Sequence, residues 1–255
     1  MMRALGWIAV RIVMPAVSIL GLWYLAILVT GLPPFVIPRP ERVFQALVAD
    51  RALITHHLIE TLKAATVGYA LANLVGIGLA AVLVAFPVAQ QLVMPAAITL
   101  RNVPYVALVT VLSLALGDTL GSKVAIVAMA GFFPVMVNTY RGLLSADPVV
   151  LDRMKVLSAS PVETFLHVRL PYALPYIVSA QEITGSGSII VAIAAEWMIS
   201  GSGLGYVINR AMQQYRGDQV YAVALLAALL SFLVYSAVHV VGRRLDWQGA
   251  ARDRA

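Results

Sequence analysis

The chain contains no cysteine. That excludes a disulfide framework, thiolate chemistry and any cysteine-ligated metal. Charge is also scarce. Asp, Glu, Lys and Arg make up 12% of the 255 residues, against about 25% in a soluble domain. No basic face or patch interleaved with aromatic residues accompanies the net charge of +6, so that charge does not mark a nucleic-acid surface. It suits contact with anionic lipid instead. No Gly-x-x-x-x-Gly-Lys-Ser/Thr phosphate loop exists: Gly121-Ser122-Lys123 lacks the order. Gly201-Ser202-Gly203-Leu204-Gly205 lacks the spacing of a dinucleotide fingerprint. His56 and His57 are adjacent and cannot share a helix face, while His167 and His239 stand alone. No metal site and no nucleophile–base pair can be assembled. The expectation is a chain that catalyses no covalent step and binds no cofactor of its own.

Apolar sequence is abundant, at 61% of residues. A helix needs about 20 predominantly apolar residues to cross a bilayer. Six stretches qualify, at residues 7–30, 62–86, 92–116, 122–144, 170–199 and 220–241. The reading is an all-α integral membrane protein, one domain over 1–255, with about six transmembrane helices. The uncharged run 12–38 is far longer than the apolar region of a cleaved signal, about 7–15 residues. Pro33, Pro34, Pro38 and Pro40 predict an irregular first loop, and residues 41–60 an amphipathic helix outside the membrane core. Gly68, Gly76 and Gly78 with Ala72 and Ala80 give the second span faces for close helix packing. Six spans put both termini on one side. Ten Lys and Arg fall on that side, in the two terminal segments and the loops at 141, 153, 155 and 169; seven fall on the other. The bias points to cytoplasmic termini.

The stretch between the fourth and fifth spans, 146–169, carries the strongest local signals. Asp147 can cap a helix whose first position is Pro148. Val150, Leu151, Met154 and Leu157 then recur at helical spacing. Ser158 and Ala159 form a break. Ser160, Pro161 and Glu163 make a second start with a Ser-x-x-Glu capping box, and Val162, Phe165 and Leu166 give it an apolar face. Two short helices therefore meet at a corner. By these signals alone the stretch could also be an amphipathic loop lying on the membrane surface.

This stretch resembles the coupling loop of bacterial ABC-importer permeases. The family pattern is Glu-Ala-Ala, three residues, Gly, about nine residues, then Ile-x-Leu-Pro. Asp152-Arg153-Met154 stands where Glu-Ala-Ala is expected, Ser158 where the Gly is, and Val168-Arg169-Leu170-Pro171 at the ending. Gly would allow a left-handed corner freely, whereas Ser158 held there costs about 1 kcal/mol. Other stretches carry the same resemblance: Pro38-Arg39-Pro40, Leu100 to Pro104, Phe132-Phe133-Pro134 with Val137-Asn138-Thr139, Ala195-Glu196, and Ser202 to Tyr206. Together they resemble the branch handling nitrate, sulfonates, taurine, bicarbonate, aromatic acids and vitamin precursors. The resemblance implies two permease protomers, two copies of a partner ATPase holding ATP and Mg, and a periplasmic solute-binding protein. It also implies that Leu151, Met154, Leu157 and Phe165 anchor the ATPase. Asp152, Arg153 and Lys155 would set its orientation, and Ser158, Ala159 and Ser160 would shape the corner.

Ionisable groups inside spans are costly and normally face a cavity or a partner. Glu182 and Glu196 lie in the fifth span, fourteen residues apart, on one face of a regular helix. Each reads either as a pathway or gate residue or as a structural carboxylate paired with a neighbour. Arg101 and Asn102 interrupt the third span; Arg101 could attract an organic anion or reach the headgroups. Asn138 is expected to bond a neighbouring helix. A self-powered secondary transporter or channel using Glu182 and Glu196 is the competing class.

Overall fold

The computed structural model describes residues 14–199 and 201–245, and every regular element among them is helical. In chain order these are α1 (Met14–Thr30), α2 (Pro40–Ala49), α3 (Arg51–Ala85), α4 (Pro87–Arg101), α5 (Tyr105–Leu116), α6 (Leu120–Leu144), α7 (Pro148–Val156), α8 (Pro161–Thr164), α9 (Leu170–Ile199), α10 (Leu204–Gln213) and α11 (Gly217–Leu245). Four helical runs are long and apolar enough to cross a membrane: α3, α6, α8 through α9, and α11. The pair α4–α5 makes a fifth crossing if the two are one broken span. Of the first predicted span, 14–30 forms α1, while 7–13 lies outside the described residues, as do Arg3, Arg11, Arg252 and Arg254.

Three boundaries differ from the sequence reading. The amphipathic stretch 41–60 is two pieces. α2 ends at Ala49, Asp50 turns the chain, and α3 begins at Arg51, eleven residues before the expected second span. The polar residues Arg51 to Lys63 hid the continuity, because the first turns of α3 are charged while the rest is not. The third span is bent by 96° between α4 and α5. Pro104 disfavours helical backbone at Val103 and has no N–H to give. Finally, α8 does not stop before the fifth span. It passes through one π-helical turn, Phe165–Arg169, directly into α9. Leu170 donates its N–H to Phe165 O, five residues back. Pro171, one residue later, cannot continue the ordinary four-residue ladder, and a widened turn absorbs that loss.

α3, α6 and α9 form the central stack, with α11 on α9. α3 meets α6 along Gly68, Ala72, Gly76 and Ala80, all buried. A Cβ on Gly68 would lie 2.5 Å from Val127 Cβ, and one on Gly76 2.9 Å from Phe132 O. These positions let the backbones approach as only small residues permit. Gly78 has open space around it and belongs to another face. Leu83, Phe133, Met136 and Leu143 fill the stack at the end bearing the α7–α8 corner. Ile54, Leu204, Val207 and Val223 fill the opposite end, called here the far end. Large apolar side chains such as Leu74, Leu114 and Phe232 project outward, as expected of helices that face lipid.

Candidate functional site

The corner is built from local chemistry. The Asp147 carboxylate accepts the Val149 N–H at 2.8 Å, and Pro148 occupies the first position of α7. At its other end Ala159 donates its N–H to Met154 O at 3.0 Å and Ser158 to Lys155 O at 2.9 Å. This is the Schellman pattern, and it places Ser158 at φ +55°. Ser160 and Glu163 then exchange hydrogen bonds of 3.2 and 2.7 Å, the two halves of a capping box. Arg169 donates to Leu143 O at 2.9 Å and fastens the start of α9 to the end of α6.

The candidate coupling residues do not all share one surface. Leu157, at the end of α7, is 74% exposed, and neighbouring Val156 is 85% exposed. Asp152, Arg153, Lys155, Ser158 and Ser160 are exposed as well, with Asp152 and Lys155 paired at 2.8 Å. Leu151, Met154, Ala159 and Phe165 are half-buried. Leu151, Ala159 and Phe165 turn toward a groove of about 650 Å³ between the corner and the end of α3, bordered by Ala81, Val84 and Arg169. The corner thus has an apolar inner wall and an outward ledge.

At the far end, the five residues Gly201 to Gly205 are each held by a side chain from another element. Asp118 accepts the Gly201 N–H at 2.8 Å. Lys123, buried at the start of α6, donates to Ser202 Oγ at 2.9 Å. His57 Nδ1 accepts from Gly203 N–H at 3.0 Å, so the ring carries its proton on Nε2. Thr61 Oγ1 accepts from Leu204 N–H at 2.8 Å and donates to Glu196 Oε2 at 2.8 Å. Glu196 Oε2 also accepts from Gly205 N–H at 3.1 Å. The last three N–H groups open α10, and they are among those a helix cannot satisfy from within itself. A carboxylate at that end also meets the positive pole of the helix dipole. Glu196 is fully buried, and its Oε1 has no partner among the described residues. Gly203 (φ +96°) and Gly205 are required by the fit: a Cβ on either would lie 2.1 Å from Glu196 Cδ or Ile193 O respectively.

Glu182 sits elsewhere. Its carboxylate meets His239 Nδ1 of α11 at 2.8 Å, and the His239 ring stacks on Tyr235. Glu182 and Glu196 share α9 but face different partners, and nothing brings them together. Arg101 ends α4 with its guanidinium over the Phe133 ring at 5.1 Å. Asn102 caps α4 and is exposed. Asn138 donates to Pro134 O of its own helix at 2.8 Å, not to a neighbouring helix. Among the described residues no cluster of His, Asp and Glu could hold a metal ion.

Sequence reasoning missed His57, Thr61, Asp118 and Lys123. The one signal that pointed to them was the Gly-Ser-Gly-Leu-Gly run itself, which exposes consecutive N–H groups in need of acceptors. Its partners are up to 146 residues away in the chain.

The chain is 29% identical to the formylaminopyrimidine transport permease protein ThiX of Halalkalibacterium halodurans, over 80% of this chain and 82% of that protein. It is 29% identical to the putative aliphatic sulfonates transport permease protein SsuC of Escherichia coli, over 92% and 90%. Among solved structures, an inward-facing conformation of the MetNI methionine ABC transporter matches with a TM-score of 0.69 at 18% identity, covering 76% of this chain and 97% of that one. That likeness concerns the fold. Residues 72–247 match the family described as binding-protein-dependent transport system inner membrane component, a range that runs from the middle of α3 past the end of α11 and holds both the corner and the far-end turn. The chain belongs to that family of multi-pass transport permeases.

Proposed function

We propose that two copies of this chain form the solute pathway of an ATP-driven importer in a bacterial inner membrane. Both termini and the α7–α8 corner face the cytoplasm, and a partner ATPase, two copies per transporter, docks on the corner. That partner holds ATP and Mg; this chain holds no cofactor. A periplasmic binding protein delivers the solute at the far end. The observation that carries the reading is the corner: two capped short helices, locked by Arg169 to α6 and continuous with α9, offering an outward ledge of Val156, Leu157, Asp152 and Arg153. A rigid protrusion joined to a spanning helix can carry a displacement from a docked partner into the membrane.

The solute is a small molecule, either a sulfonate, taurine or nitrate, or an aromatic acid or vitamin precursor. The names of the SsuC and ThiX relatives support these two chemistries. The test is affinity recovery of the chain from its native membrane in mild detergent, with co-purifying proteins identified by mass spectrometry. A P-loop ATPase and a periplasmic binding protein are the expected partners. Recovery of the chain alone, and uptake in vesicles driven by a proton gradient without ATP, would overturn the reading.

A further inference from the structure

The far-end turn is more heavily tied than a loop needs. Gly201 to Gly205 are bound by side chains from three elements: His57 and Thr61 of α3, Asp118 and Lys123 around the start of α6, and Glu196 of α9. Glu196 touches two of the other elements at once, through Thr61 Oγ1 and Gly205 N–H, and Thr61 completes the triangle by accepting from Leu204 N–H. Thr61 and Glu196 are both fully shielded from solvent. Water therefore cannot replace either hydrogen bond without opening the joint.

We propose that Glu196 is a positioning residue, the pin that locks the far ends of α3, α9 and α10 into one rigid block. α9 is continuous through the π turn with the corner at its other end. A displacement of the corner then moves α9 and carries α10 with it, so the far end of each protomer swings as a unit and does not open within itself. α10 keeps its exposed side, with Arg210, Met212 and Gln213, outside this joint. The second half of this proposal, transmission from corner to α10, rests on the importer reading above; the first half, the lock itself, does not.

The absence of native cysteine makes site-directed spin labels specific. A label pair at Ile59→Cys on α3 and Met212→Cys on α10, both exposed in the folded chain, should give a single narrow distance in nanodiscs. Glu196→Ala should at least double the width of that distribution. Glu196→Gln, which keeps one side-chain oxygen to accept from Gly205, should leave it narrow. A control pair at Val156→Cys and Ile190→Cys, along the corner and α9, should not respond to either substitution. If Glu196→Ala fails to insert, Thr61→Val removes the hydroxyl shared by Leu204 and Glu196 and should broaden the same pair. A narrow distribution in Glu196→Ala, or in Thr61→Val where that variant stands in, overturns the lock.

Transmission is read in the complex with its ATPase, using single labels that report the distance between the two copies. ATP with Mg should shift both the Ile190→Cys and the Met212→Cys distances in the otherwise native chain. In the Glu196→Ala background the Ile190 label should still shift and the Met212 label should not follow it. Equal shifts at both labels overturn transmission through Glu196. If no inter-copy distance exists at all, the importer reading fails, while the Ile59–Met212 width still decides the lock.

Discussion

Ser158 and Gly203 both have positive φ, at +55° and +96°, and only one of them is glycine. At the corner the left-handed residue carries a side chain, which raises its energy by about 1 kcal/mol. Ser158→Gly should therefore raise the thermal midpoint of the detergent-solubilised protein, and a β-branched Ser158→Val should lower it. An unchanged midpoint in both would mean that the corner relaxes out of the left-handed region. Gly203→Ala is a harsher change, because strain and a clash with the Glu196 carboxyl coincide. It should abolish accumulation of folded protein in the membrane, as judged by fluorescence-detected size-exclusion of a tagged chain. The contrast also explains what could be read in advance. Caps such as Asp147, Ser160 and Glu163 bond residues two or three positions away, so their spacing is visible in the sequence. Glu196 was conspicuous as a carboxylate in an apolar stretch, yet its partner Thr61 lies 135 residues away and carries no signal of its own.

The exposed ledge and the buried stripe of the corner make different predictions at the level of elements. Spacing puts Val150, Leu151, Met154 and Leu157 on one face, and the first three are indeed half-buried together. Leu157 departs because the helix ends there and the left-handed turn swings it outward. Under the importer reading, Leu157→Asp should cut co-purification of the ATPase at least tenfold while leaving the thermal midpoint near the native value. Leu151→Ala should lower the midpoint more than it weakens association, since Leu151 lines the inner groove. The reverse pattern would place the docking surface on the groove side. The α3–α6 seam offers a second comparison. Gly76→Ala meets Phe132 O and Val135 and should destabilise, whereas Gly78→Ala meets nothing and should be neutral or raise the midpoint slightly. The sequence pattern grouped Gly68, Gly76 and Gly78 together; only the four-residue spacing of Gly68, Ala72, Gly76 and Ala80 makes a continuous seam.

At the scale of the molecule, the all-helical membrane class follows from composition, because so little charge and so much apolar sequence cannot make a soluble surface. The two places where the span count was least legible are those where one crossing is not one helix: the α4–α5 break and the α8–α9 continuation. Both sit at a proline, whose lost N–H permits either a break or a widened turn, and the choice depends on neighbours that the local sequence does not name. The length of α3 has a consequence of its own. Its 35 residues extend about 50 Å, well beyond the roughly 30 Å of a hydrocarbon core. Its uncharged part, 64–85, is close to that thickness, so in a bilayer matched to that part Arg51 to Lys63 would stand clear of the acyl chains as a helical stalk. Bilayer thickness then sets how high that stalk stands and how far it leans. A thicker bilayer would draw the stalk down toward the headgroups and a thinner one would tilt it, changing the height at which the turn at Gly203 meets its surroundings. Transport reconstituted in lipids of increasing acyl length should pass through an optimum, and a flat response would show that α3 is held at its angle by its neighbours alone.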